Sequence, residues 1–226
     1  MPFTIGTCPP ERLSVVIADD SPAMREGLSR ILADECDLGV ANSAATAAEL
    51  RLIITRRPPT VLVMDLMIHD ADGLALIKEL LELAPKLRIV VFTLQPAEVY
   101  AARCLRAGAR GFVGKRDAVH ALFQAIRDVA AGGIVTPPGM VQNILATPKQ
   151  TDQATKGIAA SLTNRELQVF RQVGLVQPTK VIAQKLGVSV KTVETHRENI
   201  KNKLGLHSHD ELIASAARWL RENGSE

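Results

Sequence analysis

The chain has 226 residues, of which 46% are hydrophobic, 23% charged and only 3% aromatic. This composition is typical of a globular protein with aliphatic cores and excludes a chain that is disordered throughout, and the length allows two modest domains. No apolar run approaches the roughly 18 residues that a membrane span requires, so we expect a cytoplasmic protein without a membrane segment.

Charge is unevenly distributed along the chain, whose formal net charge is +3. Residues 1–135 contain 15 Lys and Arg against 16 Asp and Glu, whereas residues 161–226 contain 10 against 7. The C-terminal part is therefore mildly basic, which permits nucleic-acid binding without establishing it. The three cysteines, Cys8, Cys36 and Cys104, are odd in number and not closely spaced, which predicts reduced thiols without a disulfide framework or a zinc site.

Strand and helix patterns alternate five times in the first part of the chain. The predicted strands are 13–18, 38–41, 61–64, 88–93 and 111–113, and the helices that follow them are 22–32, 44–55, 73–83, 96–107 and 118–130. Short connections between alternating elements predict an α/β fold with helices on both faces of a parallel sheet. We therefore expect a five-stranded parallel (βα)5 domain over residues 12–135.

The remaining sequence divides into a linker and a helical region. Residues 136–160 are rich in Pro, Gly, Thr and Gln and lack periodicity, which predicts a linker. Residues 161–226 show four helical segments, the first with a capping-box pattern at Thr163 and Glu166. The second and third are joined by a short turn containing Gly187, which predicts an all-α four-helix domain with a helix-turn-helix.

Reactive side chains follow the predicted strands at the points where they end. The first strand is followed by Asp19 and Asp20, the third by Asp65, and the fifth by Gly114 and Lys115, while Thr93 closes the fourth. The carboxyl ends of parallel strands form one rim, where open α/β sheets bind their ligands.

The alternative for Asp65 is a structural role as a helix cap. Asp70 and Asp72 suit that role better because they directly precede the helical run 74–83. Two carboxylates about 4 Å apart repel by about 4 kcal/mol at an effective dielectric constant near 20. A cluster of three acids must therefore raise its pKa values or hold a cation, and an all-oxygen site suits Mg²⁺.

In this order and on these strand ends, Asp19-Asp20, Asp65, Thr93 and Lys115 resemble the phosphoacceptor receiver domain of two-component response regulators. The resemblance implies that a sensor histidine kinase phosphorylates Asp65. It further implies that Asp20, Asp65 and the backbone carbonyl of Met67 bind Mg²⁺, with Asp19 assisting through water.

The same resemblance implies that Thr93 and Lys115 sense the phosphoryl group and that Phe112 moves inward with Thr93. Two positions depart from the family pattern: His69 stands where Pro is usual, and Arg116 stands where many members have Pro. Neither change removes a reacting group, so we expect a competent receiver.

A remote alternative is a Mg²⁺-dependent phosphatase with an aspartyl nucleophile. Enzymes of that class carry a second Asp two residues after the nucleophile as the general acid, and here Met67 occupies that position. Without an acid for the leaving group, repeated hydrolysis is not expected, and we predict that the chain is not an enzyme.

The helical region carries a second resemblance. Residues 162–166 (LTNRE), 179–183 (TKVIA), 189–200 (SVKTVETHRENI) and 203–206 (KLGL) are similar to the LuxR-type DNA-binding domain. Joined to a receiver, this domain resembles the NarL/FixJ family of response regulators. Val176 and Pro178 depart from the family pattern, which has Gly and Ser there, and we expect Thr179 to cap the following helix.

The resemblance implies that helix 190–204 enters the major groove of double-stranded DNA, with Val193, Ile200 and Leu204 facing the domain core. The side chains expected to contact base edges are Lys191, Thr192, Glu194, Thr195 and Glu198, and those expected to contact phosphates are Lys180, His196, Arg197 and Lys201. The alternative for this face is an ordinary solvated surface on which its glutamates pair with neighbouring lysines.

Two hypotheses about regulation follow. In the first, phosphorylation of Asp65 produces a homodimer that binds two half-sites and controls transcription. In the second, the protein binds DNA independently of phosphorylation, and the receiver serves as a dimer scaffold.

Overall fold

The computed structural model describes residues 12–68, 71–137, 157–158 and 161–223. Most of the predicted linker 136–160 lies outside the described residues, as do the N-terminal residues 1–11 and the divergent position His69. Across the described ranges, each helix is too short or too polar to cross a membrane.

The first domain is built on a five-stranded sheet with the strand order β2-β1-β3-β4-β5, and all its pairings are parallel. The strands are β1 (Leu13–Ala18), β2 (Leu38–Ala44), β3 (Val61–Met64), β4 (Arg88–Thr93) and β5 (Gly111–Gly114). All four residues of β3 are buried, as expected of a central strand covered on both faces. The predicted five-stranded parallel α/β fold is confirmed.

Five helices cover the two faces of the sheet: α1 (Pro22–Ala33), α2 (Ala47–Arg56), α3 (Gly73–Leu83), α4 (Ala97–Ala107) and α5 (Val119–Ala130). Helices α1 and α5 enclose one apolar layer, and α2, α3 and α4 enclose the other. Asp72 caps α3, because its Oδ1 accepts hydrogen bonds from the backbone amides of Leu74 and Ala75. Asp72, one of the two proposed caps, thus leaves Asp65 free of that role.

Two predicted boundaries in this domain were wrong by three residues. Strand β2 continues to Ala44 instead of residue 41, since it pairs with β1 along its whole length across an irregularity between Val15 and Val16. Helix α2 consequently begins at Ala47, where Thr46 caps it. The polar residues Asn42 and Ser43 hid this extension, because edge strands tolerate polar side chains better than central ones do.

The second domain contains α6 (Asn164–Gly174), α7 (Thr179–Leu186), α8 (Val190–Leu204) and α9 (His209–Asn223). The predicted capping box is present, with the Thr163 amide donating to Glu166 at 2.8 Å and the Glu166 amide donating to Thr163 at 3.3 Å. Trp219 is buried and packs edge-on against Phe170, with ring centroids 6.0 Å apart. The expected all-α helix-turn-helix domain is therefore present.

The turn between α6 and α7 differs from expectation. Pro178, not Thr179, stands at the cap position, and no side chain caps α7. The Thr179 hydroxyl instead accepts a hydrogen bond from Arg197 at 2.6 Å. Val176, at the position where the family commonly has a small residue, has φ 54°, the only positive φ of a non-glycine residue in the described part of the chain.

Replacing Val176 with Gly should stabilise the second domain by about 1 kcal/mol. The left-handed conformation costs an L-residue about 1–2 kcal/mol, and glycine removes this cost. Part of the stabilisation is lost because glycine raises the conformational entropy of the unfolded chain. Little packing is lost, since Val176 is 68% exposed. Denaturant unfolding followed by the fluorescence of Trp219, the single tryptophan, measures the change.

The matched control is Leu175→Gly. Leu175 is also exposed but has φ −80°, so glycine there should destabilise the domain. Equal effects of the two substitutions would refute the strain interpretation.

Candidate functional site

Parallel pairing brings the predicted side chains to one rim. Asp19 and Asp65 directly follow the neighbouring strands β1 and β3, and Thr93 and Lys115 lie at the ends of β4 and β5. The order of the strands reverses between β1 and β3, which is where open α/β sheets form their ligand crevice. Asp19, Asp65 and Thr93 are buried at this crevice.

The Lys115 ammonium group links the two central carboxylates. Its Nζ lies 2.6 Å from Asp19 Oδ2 and 2.5 Å from Asp65 Oδ2, and all three side chains are less than one-tenth exposed. Burial raises the pKa of Asp19 more than the nearby ammonium lowers it. Burial alone would lower the pKa of Lys115, but the two carboxylates outweigh it, so the pKa is raised and the lysine is charged at neutral pH.

Backbone amides fix the other oxygen of each carboxylate. Asp19 Oδ1 accepts from the amide of Ser21 at 2.9 Å, and Asp65 Oδ1 accepts from the amide of Met67 at 3.1 Å. The Thr93 hydroxyl accepts a 3.3 Å hydrogen bond from the amide of Gln95. The loops that follow the strands therefore orient the reactive groups, while each carboxylate directs its second oxygen to Lys115.

The acidic rim has the donor chemistry of a Mg²⁺ site, since carboxylate and carbonyl oxygens are the ligands that this ion prefers. Within the described ranges, no three His, Cys, Asp or Glu side chains are arranged as a ready metal-binding group. At the rim, Lys115 lies between Asp19 and Asp65 and supplies a compensating positive charge. The carboxylates of the rim are suitable ligands for Mg²⁺, and a bound Mg²⁺ would compete with Lys115 for their oxygens.

A cavity of about 120 Å³ lies beside Asp65, and both domains line it. The lining residues are Asp20, Asp65, Met67 and Ile68 from the first domain and Arg165, Lys185 and Leu186 from the second. The second domain thus covers the candidate acceptor carboxylate and brings two basic side chains to the wall of its cavity.

Polar contacts hold the second domain in this position. Arg103 donates to the carbonyl of Leu162 at 2.7 Å, and Asn164 donates to Asp72 at 3.3 Å. Arg171 donates to Gln95, two residues after Thr93. Sequence analysis missed these residues, because nothing in either half of the chain indicates which surfaces meet.

Tyr100 lies beside the arginines of this contact. The only tyrosine of the chain is completely buried on α4, and burial raises its pKa more than the neighbouring Arg171 and Arg103 lower it. Tyr100 therefore belongs to the receiver side of the contact.

The predicted reading face of α8 remains open. Lys191, Glu194, Thr195 and Glu198 are exposed, as is Lys180 on α7, while Val193 and Ile200 are buried as predicted. Thr192 is half-buried and bonds to Ser189. Lys201 pairs with Glu198 at 2.8 Å, so one of the ion pairs expected of a solvated surface does form.

Two residues that are predicted to contact phosphates, His196 and Arg197, are half-buried in this arrangement. Arg197 donates to Thr179 and lies 2.8 Å from Nε2 of His209, which ties α8 to its neighbours. His196 is half-buried, and burial lowers its pKa, which favours the neutral imidazole at pH 7. As placed here, Arg197 supports the domain internally, and His196 carries little charge for a phosphate.

The family comparisons agree with this architecture. The model of the response regulator receiver domain matches residues 15–127, and that of the bacterial regulatory proteins of the luxR family matches residues 160–216. The chain belongs to the NarL/FixJ family of response regulators. It is a two-component response regulator with a receiver and a LuxR-type DNA-binding domain.

Similar proteins span the same two domains. This response regulator is 33% identical over 211 residues to the oxygen regulatory protein NreC of Staphylococcus carnosus, an alignment that covers 91% of this chain and 97% of NreC. It is 34% identical to a putative transcriptional regulator of Pseudomonas aeruginosa, with 90% and 97% coverage.

Solved structures show the same fold. RcsB from Salmonella enterica serovar Typhimurium, bound to promoter rprA in the presence of the phosphomimetic BeF3−, has a TM-score of 0.59 at 24% identity and covers 92% of this chain and 99% of its own. A LuxR-family response regulator from Aurantimonas sp. SI85-9A1 has a TM-score of 0.56 at 28% identity and covers 59% of this chain and 96% of its own.

Proposed function

We propose that this response regulator accepts a phosphoryl group on Asp65 from a sensor histidine kinase and that the modification controls sequence-specific binding to double-stranded DNA. The observation that carries the proposal is the contact of Lys115 with both Asp19 and Asp65 at the crevice between β1 and β3. A buried carboxylate beside a fixed ammonium and further acidic ligands is an environment that suits acyl phosphate formation.

The residues take the following roles in the transfer. Asp65 Oδ2 attacks phosphorus as the bond from phosphorus to the histidine nitrogen of the kinase breaks, while the Met67 amide holds Oδ1 in place. Asp19, Asp20, Asp65 and the Met67 carbonyl would hold Mg²⁺, which neutralises the phosphoryl oxygens when bound. Lys115 pairs with the new anion, and the Thr93 hydroxyl donates to it.

The change at Thr93 can be transmitted through the loop that follows β4. Gln95 bonds to Thr93 through its amide and accepts from Arg171 of the DNA-binding domain through its side chain. Phe112, which is buried on the neighbouring strand β5, gives the second route that we propose. Phosphorylation adds a charge of about −1.5 to −2, so movement of Thr93 towards it would loosen the contact between Gln95 and Arg171.

DNA recognition follows from the exposed face of α8. Lys191, Thr192, Glu194, Thr195 and Glu198 are proposed to contact base edges, and Lys180 and Lys201 to contact phosphates. RcsB was solved on promoter DNA in the presence of a phosphomimetic, which supports the same link between the two events here. We propose that the phosphorylated protein binds as a homodimer to two half-sites, and that it acts in the cytoplasm.

Incubating the full chain with a small acyl phosphate and Mg²⁺ should add the mass of one phosphoryl group, and Asp65→Asn should abolish the addition, because an amide cannot replace the nucleophilic carboxylate. Intact-protein mass spectrometry measures the product, and an electrophoretic shift assay measures operator binding.

Asp128→Asn is the matched control, since this exposed acid on α5 takes no part in the proposed transfer. If Asp65 gains no mass and operator binding is the same with and without the donor, the second hypothesis holds, in which the receiver is a phosphorylation-independent dimer scaffold.

Arg171→Ala should increase the rate of phosphorylation by a small acyl phosphate about tenfold, since loss of a hydrogen bond from a charged group, about 1.5 kcal/mol, shifts the docked domain towards the open state. Stopped-flow fluorescence or timed mass spectrometry measures the rate. Arg218→Ala, an exposed arginine on α9, is the control and should leave the rate unchanged. Equal rates for wild type and Arg171→Ala would show that docking does not restrict Asp65.

Glu194→Ala should relax base preference at one operator position and cost about 1–3 kcal/mol there, because a glutamate on the reading face can accept a hydrogen bond from the cytosine amino group. A binding-site selection with the phosphorylated protein measures the preference. An unchanged selected sequence would exclude Glu194 from base reading. Lys180→Ala serves as the comparison, since loss of a phosphate contact weakens binding to all sequences alike and reduces the salt dependence.

A further inference from the structure

A broad groove opens at the edge of the receiver sheet opposite to Asp65. It has a volume of about 1380 Å³ and is formed by the segments that precede β3, β4 and β5, together with the ends of α2, α3 and α4. Because parallel strands start at one edge and end at the other, a molecule in this groove would not meet the phosphoacceptor crevice. The groove is therefore a separate surface, and its role does not rest on the function proposed above.

The floor of the groove is apolar and partly open to solvent. Ile54 and Leu87 form its buried base, while Leu83 and Ile134 line it with 52% and 62% of their surface exposed. Pro58 also lines the groove, in a loop where proline restricts the backbone. Exposed leucine and isoleucine side chains beside a stiff concave surface are typical of a site that binds another apolar group.

All the charges that line the groove have the same sign. They are Lys86, Arg88, Arg106 and Arg110, and among the residues that the structure describes no Asp or Glu lines the groove. None of the four has an ion-pair partner within the described residues. Elsewhere on the receiver, arginines do find acids: Arg51 pairs with Glu79, and Arg127 pairs with Glu35 and Asp37.

We propose that this basic groove binds an acidic amphipathic peptide segment of a partner protein. Such a segment would place leucine-like side chains on Leu83 and Ile134 and carboxylates against the arginines of the rim, so that each property of the groove is matched. A DNA backbone would match the charges alone and leave the apolar floor in water.

The chain's own segments outside the described residues are poor candidates for the same site. Residues 1–11 contain one acid, Glu11, and residues 138–156 contain Asp152 against Lys149 and Lys156. Neither stretch carries the negative charge that four unpaired cations attract. Charge complementarity therefore selects an external acidic partner.

The test uses the full chain and a fluorescein-labelled synthetic peptide in which Asp-Glu pairs alternate with Leu pairs, with fluorescence anisotropy as the readout. Two comparison peptides replace all Leu with Ser or all Asp and Glu with Asn and Gln. We expect only the acidic, leucine-containing peptide to bind, and its affinity to fall as salt screens the rim charges.

Arg106→Glu combined with Arg110→Glu should weaken binding of this peptide about tenfold or more, because two attractions become repulsions. Arg30→Glu, an exposed charge reversal on α1, is the matched control and should change affinity less than about twofold. Leu83→Ser, which alters no charge, should also weaken binding and decides the matter if the double variant fails to fold by circular dichroism.

Several outcomes would overturn the proposal. The first is that the serine peptide binds as tightly as the leucine peptide. The second is that duplex DNA displaces the acidic peptide from the wild-type chain and itself loses affinity for the double variant. The third is that the folded full chain binds no peptide. Sedimentation showing a dimer that the double variant abolishes would identify a second copy of the chain as the occupant instead.

Discussion

The contact of Lys115 with Asp19 and Asp65 is the interaction on which the receiver depends. Two carboxylates about 4 Å apart repel by about 4 kcal/mol at an effective dielectric constant near 20. The Lys115 ammonium, 2.6 Å from Asp19 and 2.5 Å from Asp65, offsets this repulsion. The contact exists only because β1 and β3 are neighbours in the sheet, with β5 two strands further on. Any anion added to Asp65 must compete with the Asp19 carboxylate for the Lys115 ammonium. A chemical change at Asp65 therefore alters the charge pairing of all three side chains.

The DNA-binding domain is docked against the carboxylate rim of the receiver. The domain meets the receiver through α6 and the end of α7, and it covers the cavity beside Asp65. The outward side chains of α8 stay exposed. In this arrangement docking restricts access to Asp65, the proposed phosphoacceptor, more than access to the exposed face of α8. Because coupling between two sites is reciprocal, a ligand that binds the undocked DNA-binding domain more tightly should also favour the proposed modification of Asp65.

Most of the fold was predictable because local patterns and tertiary packing agree in this chain. Buried apolar runs, helix caps and short connections predicted every strand and helix of the sheet domain, and the capping box at Thr163 predicted the start of α6. The errors arose where neighbours override local preference. Pairing with β1 extends β2 through Asn42 and Ser43, and the turn before α7 forces Val176 into the left-handed region while Arg197 takes the hydroxyl of Thr179.

The sequence alone identified the candidate reactive groups and the edge of the sheet at which they meet, because the direction of a parallel strand fixes where its last residue lies. It also determined which face of α8 is polar, since helical periodicity separates Val193 and Ile200 from the charged positions. Only the tertiary structure decided that the ammonium lies between the two carboxylates, that the second domain covers them, and that Tyr100 and Arg103 belong to that contact. These are contacts between residues that are distant in the sequence, and no local sequence pattern indicates which surfaces pack against each other.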